Sequence, residues 1–415
     1  MIRAVTILAL TPQPSPPQHS ISPPNMIIQL SPKPKAKRRS KELQNAIKEL
    51  PSLSSQSLVT TLGVSENPTN VSKGLGKLPP ELVSEVLSCW KSIKNETMLV
   101  VGQDAEYIRG PTLDKSYLAR TDALRALSQT CVAYRRAYLP ILWRELDACV
   151  STREGVDDMG TYQWFKHLGM ALFRKSSLLS HNAGLANLVR EMHVTITRFQ
   201  ADVVLPAFIE CLESLPNLHT IHLLHVHTAL GPALRKATEG LCLPGVRTFI
   251  GPNYSHDILK SCPNVQSVEC NREDGAKLIR AMAGNCKDVK VVRGINMDGD
   301  AKLMKQLVKA APKLHTLEVG EKITDEAITE LKLLQALSAI DFFAREKVRD
   351  RDAAARMEEK KTVLKLQALL RASPPSEIKR LRTCSRKEYY PVSGEKGRHW
   401  GWHREWVTTY VEVEV

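Results

Sequence analysis

The sequence predicts an α/β fold: a short all-α module followed by an α/β solenoid of repeats, with a disordered tail in front. Three observations carry this. An apolar triplet recurs through residues 189–342, with helix-period spacing between the copies. Residues 75–150 hold three short apolar clusters at helical spacing. Residues 1–74 are rich in Pro, Ser, Thr and Gln, as in TPQPSPPQHS, and bury too little apolar surface to offset chain entropy.

Composition sets the outer bounds. Hydrophobic residues make up 43% of the 415 and charged residues 25%, which suits a chain with a core and a soluble surface. A formal net charge of +14 allows nucleic acid, an acidic membrane or an acidic protein as partner. The excess sits in Lys33–Lys41 and Arg345–Arg398 rather than in the middle, which argues against nucleic acid as the main partner. KPKAKRRSK has the make-up of a nuclear-localisation signal; a solvated basic tail is the plainer reading. Nine cysteines form no C-x-x-C pair, so no zinc knuckle or thioredoxin-like motif is expected. Cys131 and Cys211 fall in apolar patterns and read as small buried hydrophobes. Reduced thiols point to a cytoplasmic or nuclear protein. The opening MIRAVTILAL lacks a clear cleavage site and does not read as a signal peptide, and no apolar run approaches a membrane span.

In the module, Pro79 and Pro80 suit a helix start, and Glu81 complements its dipole. Leu82, Val83, Val86, Leu87 and Trp90 then form one helical stripe. After a polar stretch helix resumes beyond Thr121, a suitable N-cap, with Leu124, Leu127, Cys131 and Tyr134 as its apolar face. Pro140 interrupts, and Ile141, Leu142 and Trp143 give a third cluster.

These residues resemble the F-box family in three places: Leu78-Pro79-Pro80-Glu81-Leu82, then Leu127 with Cys131-Val132-Ala133-Tyr134-Arg135, then Leu139-Pro140-Ile141-Leu142-Trp143. The closing piece is similar to that of fungal F-box proteins. Tyr134 stands where tryptophan is commoner, and 91–120 is an insertion between the first two helices. The resemblance implies that Leu78, Pro79, Leu82, Val86, Leu87, Leu139, Pro140, Leu142 and Trp143 dock a Skp-type adaptor.

Residues 151–344 carry the repeats. PNLHTIHL, PNVQSVEC and PKLHTLEV share apolar residues at relative positions 1, 4 and 6. The anchors are Leu218, Ile221, Leu223; Val265, Val268, Cys270; and Leu314, Leu317, Val319, with looser copies beginning at Val189, Val246, Val289 and Leu337. First positions are spaced 29, 28, 19, 24, 25 and 23 residues apart, within the range of leucine-rich repeats. Helical spacing fills Ala201–Leu215, Gly275–Cys286, Ala301–Ala311 and Thr324–Leu334, with Thr324 as an N-cap. The whole resembles the F-box leucine-rich-repeat group. An ordinary α/β domain with a parallel sheet is the alternative for this region. Outward positions between the anchors are then candidate target contacts: Thr220, His222, Ser267, Glu269, Val291, Arg293, Thr316 and Glu318.

Nothing argues for catalysis or a cofactor. His219, His222, His225 and His227 are close in sequence, but on a strand they spread over the exposed side and the following turn, so no metal is expected. No phosphate-loop, dinucleotide, metalloprotease or nucleophile-elbow motif occurs. Asp157-Asp158 and Glu358-Glu359 lack a companion base, and neither Cys131 nor Cys286 has an identifiable base and oxyanion donors. Residues 345–415 read as a charged helix, edged by Val363, Leu366, Leu369 and Leu370, then a Trp-rich end with Trp400, Trp402 and Trp406 and a strand in WVTTYVEVEV. An end-cap is the plain reading of this part, and a peptide-binding aromatic patch the sharper one.

The expected function is non-enzymatic: the substrate-recognition adaptor of a Skp–cullin–F-box ubiquitin ligase, with a protein target, a cullin core and no membrane. The alternatives are a repeat scaffold without a ligase role and a basic nucleic-acid-associated factor.

Overall fold

The computed structural model describes residues 79–90, 92–93, 98–99, 116–150, 161–297, 299–320, 322–344, 353–374, 379–389 and 403–413, all within the unit Ser55–Val415. The tail 1–74 with Lys33–Lys41 lies outside them, as do Leu78, Asp157-Asp158, Trp400 and Trp402.

Three helices open the described chain. α1 (Pro80–Ser88) has its proline in the first turn, where no N–H partner is missed, and Glu81 beside it. α2 (Ser116–Thr130) starts ahead of Thr121, which is therefore not its cap. α3 (Val132–Arg144) is capped by Cys131, whose Sγ accepts the Tyr134 N–H at 3.5 Å. Cys131 is exposed, not buried as its apolar neighbours suggested, because a cap stands outside the helix it ends. Pro140 lies inside α3 rather than ending it. Leu87, Leu124 and Tyr138 form the buried centre of the three helices, and Val83, Ile141 and Leu142 pack on it.

Nine parallel strands follow in strict sequence order: β2 (Glu145–Ala148), β3 (Glu191–Ile196), β4 (Thr220–Val226), β5 (Thr248–Pro252), β6 (Ser267–Arg272), β7 (Val291–Arg293), β8 (Thr316–Gly320), β9 (Ala339–Ala344) and β10 (Arg380–Tyr389). β11 (His403–Val413) adds antiparallel to β10, and β1 (Met98–Leu99) antiparallel to β11. Between the strands run α4 (Thr161–Ser180), α5 (Ala183–Ala186), α6 (Ala201–Glu213), α7 (Gly231–Ala237), α8 (His256–Lys260), α9 (Ala276–Asn285), α10 (Ala301–Ala310), α11 (Asp325–Leu331) and α12 (Ala353–Ala372). From α6 to α12 each helix packs on the next. Local chemistry sets several starts: Asp300 accepts the Leu303 N–H at 3.0 Å, and Thr324 the Ala327 N–H at 3.3 Å.

The repeat anchors become one continuous row. Leu146, Met192, Ile221, Phe249, Val268, Val292, Leu317, Ile340 and Leu381 lie side by side in register, none more than 2% exposed. A second link ties the strand entrances. The Arg190 N–H meets the Arg144 carbonyl, and the same bond recurs through His219, Arg247, Gln266, Lys290, His315, Ser338 and Arg380 at 2.8–3.0 Å. Gly294 stands where other units have a third anchor. Its φ is +65°, and a Cβ there would lie 2.1 Å from the Cys270 carbonyl oxygen, so only glycine lets β7 approach β6 this closely.

β2 falls within 75–150, read from sequence as helical, and the sheet continues past residue 344 into β10 and β11. β2 and β10 lack the proline-led signature that marks the inner units, so only pairing with a formed neighbour reveals them. α12 lies against β9, β10 and α11, with Leu366, Leu369 and Leu370 buried.

Ile340→Ala removes a fully buried side chain held between Leu317 and Leu381. It is expected to cost about 2–5 kcal/mol in urea unfolding, while Leu333→Ala, 63% exposed, changes stability by no more than about 0.5 kcal/mol.

Candidate binding face of the sheet

Alternate residues of a strand point to opposite faces. With Met192, Ile221 and their neighbours turned toward the helices, the residues one step further on share the other face. Register aligns them as Asp147, His193, His222, Ile250, Glu269 and Arg293, continuing through Glu318 and Asp341 to Arg382 and Glu412. A second row beside it holds Thr220, Thr248, Ser267, Val291 and Thr316. All the positions read from sequence as target contacts therefore fall in two adjacent rows.

The charges in the first row are organised around two carboxylates, the buried Asp341 and the partly buried Asp147. Asp341, 1% exposed, accepts Arg382 Nε and Nη2, both at 2.8 Å, in a two-pronged pair, with Arg293 Nε 3.5 Å away. Asp147 Oδ1 lies 2.7 Å from His193 Nδ1, and Lys175 of α4 donates to the Asp147 carbonyl. Burial pushes the Asp147 carboxyl up, but the hydrogen bond and charge of His193, with Lys175 and Arg120, outweigh it and hold the group below 3.8. Burial pushes His193 down, yet the bond and charge of Asp147, with Glu145 and Glu191, hold it above 6.5. Burial depresses Lys175 against the pull of Asp147. The His193 and His222 rings meet edge-on at 5.6 Å. Arg120 of α2 reaches Glu145 of β2 at 2.8 Å, so an ion pair ties the helices to the sheet.

Exposure departs from the sequence reading at named positions. Thr220, Ser267, Glu269, Val291 and Arg293 are partly buried, but His222 is fully buried, and Thr316 and Glu318 are also buried. His225 is buried too, so of the four histidines His219 alone is fully exposed and His227 is intermediate. Burial, with Arg272 (3.2 Å away) and His227, pushes His225 down to about 3. Part of the cause is the insertion. Ile93 and Tyr117, near its two ends, are buried with Cys149, Val150 and Leu224, and β1 packs on β4 while pairing with β11. The described parts of the insertion therefore lie against the sheet, and α2 takes up its last residues.

The positions expected to dock an adaptor also separate. Pro79, Leu82, Val86 and Pro140 are exposed, and Leu139, Leu142 and Trp143 partly buried. Leu87 is corrected: it belongs to the helical core, since α1 must turn one side inward. Sequence reasoning missed His193 and Asp341, although each stands between two recognised anchors. Asp147 and Arg382 lie on strands that carried no readable signature.

The most deeply buried thiols are poor nucleophiles. All nine cysteines are free, and burial holds Cys211, Cys270 and Cys286 at about 12. Among the described residues no three His, Cys, Asp or Glu side chains are placed to hold a metal ion, and no helix is long and apolar enough to cross a membrane. A scan against models of known families finds no match to this chain, and neither does a search of curated proteins.

Two outcomes follow. Arg382→Met leaves Asp341 buried with only the more distant Arg293 and is expected to cost about 3 kcal/mol in urea unfolding; adding Asp341→Leu restores most of the loss. The His193 contribution is present in full below pH 6.5 and disappears as pH rises through its raised value; that of Asp147 is present above 3.8 and disappears as pH falls through its lowered one. As pH rises above 6.5 the wild type should lose stability that His193→Gln does not lose, as read from parallel denaturation curves.

Proposed function

We propose that the chain is the substrate-recognition adaptor of a Skp–cullin–F-box E3 ubiquitin ligase, with α1–α3 as an F-box-like module and the strand–helix stack as a leucine-rich-repeat-like solenoid. The observation that carries this reading is the two-sided character of α1. Leu87 packs inward with Leu124 and Tyr138, while Leu82 and Val86, one turn apart, are 45% and 50% exposed. Pro79 precedes them, and Val132 and Pro140 are exposed on α3. An uncovered apolar stripe on a helix that already has a core is what a partner helix needs. Burying each such side chain contributes about 1.5–3 kcal/mol before association costs.

The polar rows of the sheet support the second half of the reading. Glu269 and Arg293 are partly open to solvent, and the paired Asp341 and Arg382 beside them hold that surface in one arrangement. A target bound there would be brought close to a ubiquitin-charged enzyme carried by the partners, the chain itself making no bond. The cytoplasm or nucleus is the matching location.

Leu82→Asp/Val86→Asp tests this in the full chain. Affinity for a purified Skp-type adaptor should fall at least about tenfold, with the melting temperature within about 2 °C of wild type because both positions are exposed. A wild type that does not bind the adaptor, or a double variant that binds unchanged, overturns the ligase reading in favour of a repeat scaffold.

A further inference from the structure

The residue just before each inner strand lies beside its counterparts, because its carbonyl receives the next unit's N–H. Sequence and ladder together build a ridge of positive charge there. In the four residues leading into each of β2 to β9, the carboxylate is Asp288 alone, against Arg144, Arg190, Arg247, Lys287, Lys290 and Lys313. Arg144, Arg247 and Lys290 are exposed and Arg190 partly so. Among the described residues none of these four forms an ion pair. They differ in this from Arg120, Arg293 and Arg382, whose charges are matched.

The ridge already holds one carboxylate. Lys313 Nζ reaches Asp288 Oδ1 at 2.6 Å. Its hydrogen bond and charge, followed by Lys290 and Arg247, hold the Asp288 carboxyl below its usual range. Nearby His315 is pushed down by burial and by Lys290. The Lys290 charge thus acts on both groups.

We infer that this edge is a docking surface for an extended acidic protein segment laid across the entrances of β3 to β8. Spacing favours a peptide. Arg190, Arg247 and Lys290 precede β3, β5 and β7, two strands apart, so they recur at roughly 10 Å given a strand separation of about 4.8 Å. A polyproline-II segment has three residues per turn and rises about 3.1 Å per residue, which puts a carboxylate at every third residue on one face, roughly 9 Å apart and in step with them. From β3 to β9 the leading turns hold no Phe, Tyr or Trp on which nucleic-acid bases would stack. The inference stands apart from the ligase reading, and its test contains no adaptor.

The probe is a fluorescein-labelled peptide of four Glu-Ser-Ser repeats, titrated by anisotropy with the full chain at low salt. Arg190→Glu/Arg247→Glu/Lys290→Glu should raise its Kd at least about tenfold, and Arg247→Glu/Lys290→Glu, both exposed, at least about fivefold with unchanged melting. Replacing the cations of Lys33–Lys41 by Gln, to separate the basic tail, should change Kd less than about threefold. Ridge variants that keep wild-type affinity, or a tail variant that loses it instead, overturn the inference. So does a 12-nucleotide single-stranded DNA that binds more tightly than the peptide and loses its affinity in the ridge variants.

Discussion

A strand followed by a helix cannot bury its own apolar face, and the row from Leu146 to Leu381 is how this chain meets that constraint. Each member covers its neighbour, and none is exposed by more than 2%. A slip of one residue in any strand would turn its anchor away from the helices and its polar neighbour toward them. The bonds between strand entrances, from Arg144 to Arg380, hold the same register through the backbone. Both ends of such a row need cover. α12 packs by its buried leucines against β9 and β10, and at the other end α3 runs directly into β2.

The same register governs the opposite face. Since the anchors align, so do the residues between them, and charges distant in sequence are brought into line. Asp341 meets Arg382 and Arg293 this way, as Asp147 meets His193. Carboxylates this deep are costly unless matched, so each pairing is a constraint on the arrangement more than a source of stability. Arg120 and Glu145 extend that constraint to the helical module, linking the proposed adaptor-binding helices to the proposed target-binding face.

Net charge alone does not describe the electrostatics. The runs at Lys33–Lys41 and Arg345–Arg398 dominate the formal count, whereas the ordered ridge of Arg190, Arg247 and Lys290 is spread over residues a hundred apart. Its cations become neighbours through strand stacking, and Arg247 and Lys290 stay exposed, with Arg190 partly so, because they stand in turns rather than in the sheet.

The anchors of β3 to β9 were legible in the chain, as were α6 and α9 to α12, because apolar periodicity and N-caps such as Thr324 are local signals. Target-face positions followed from the same alternation, and Asp341 and His193 stood within reach of that rule. The α/β class and the order of the units thus lay in the sequence. Tertiary structure decided the rest: that β2, β10 and β11 join the sheet, that Leu87 turns inward, and that His222, Thr316 and Glu318 are covered. Burial depends on atoms supplied by segments far along the chain, such as Ile93 and Tyr117 beside Leu224, and no local spacing encodes them.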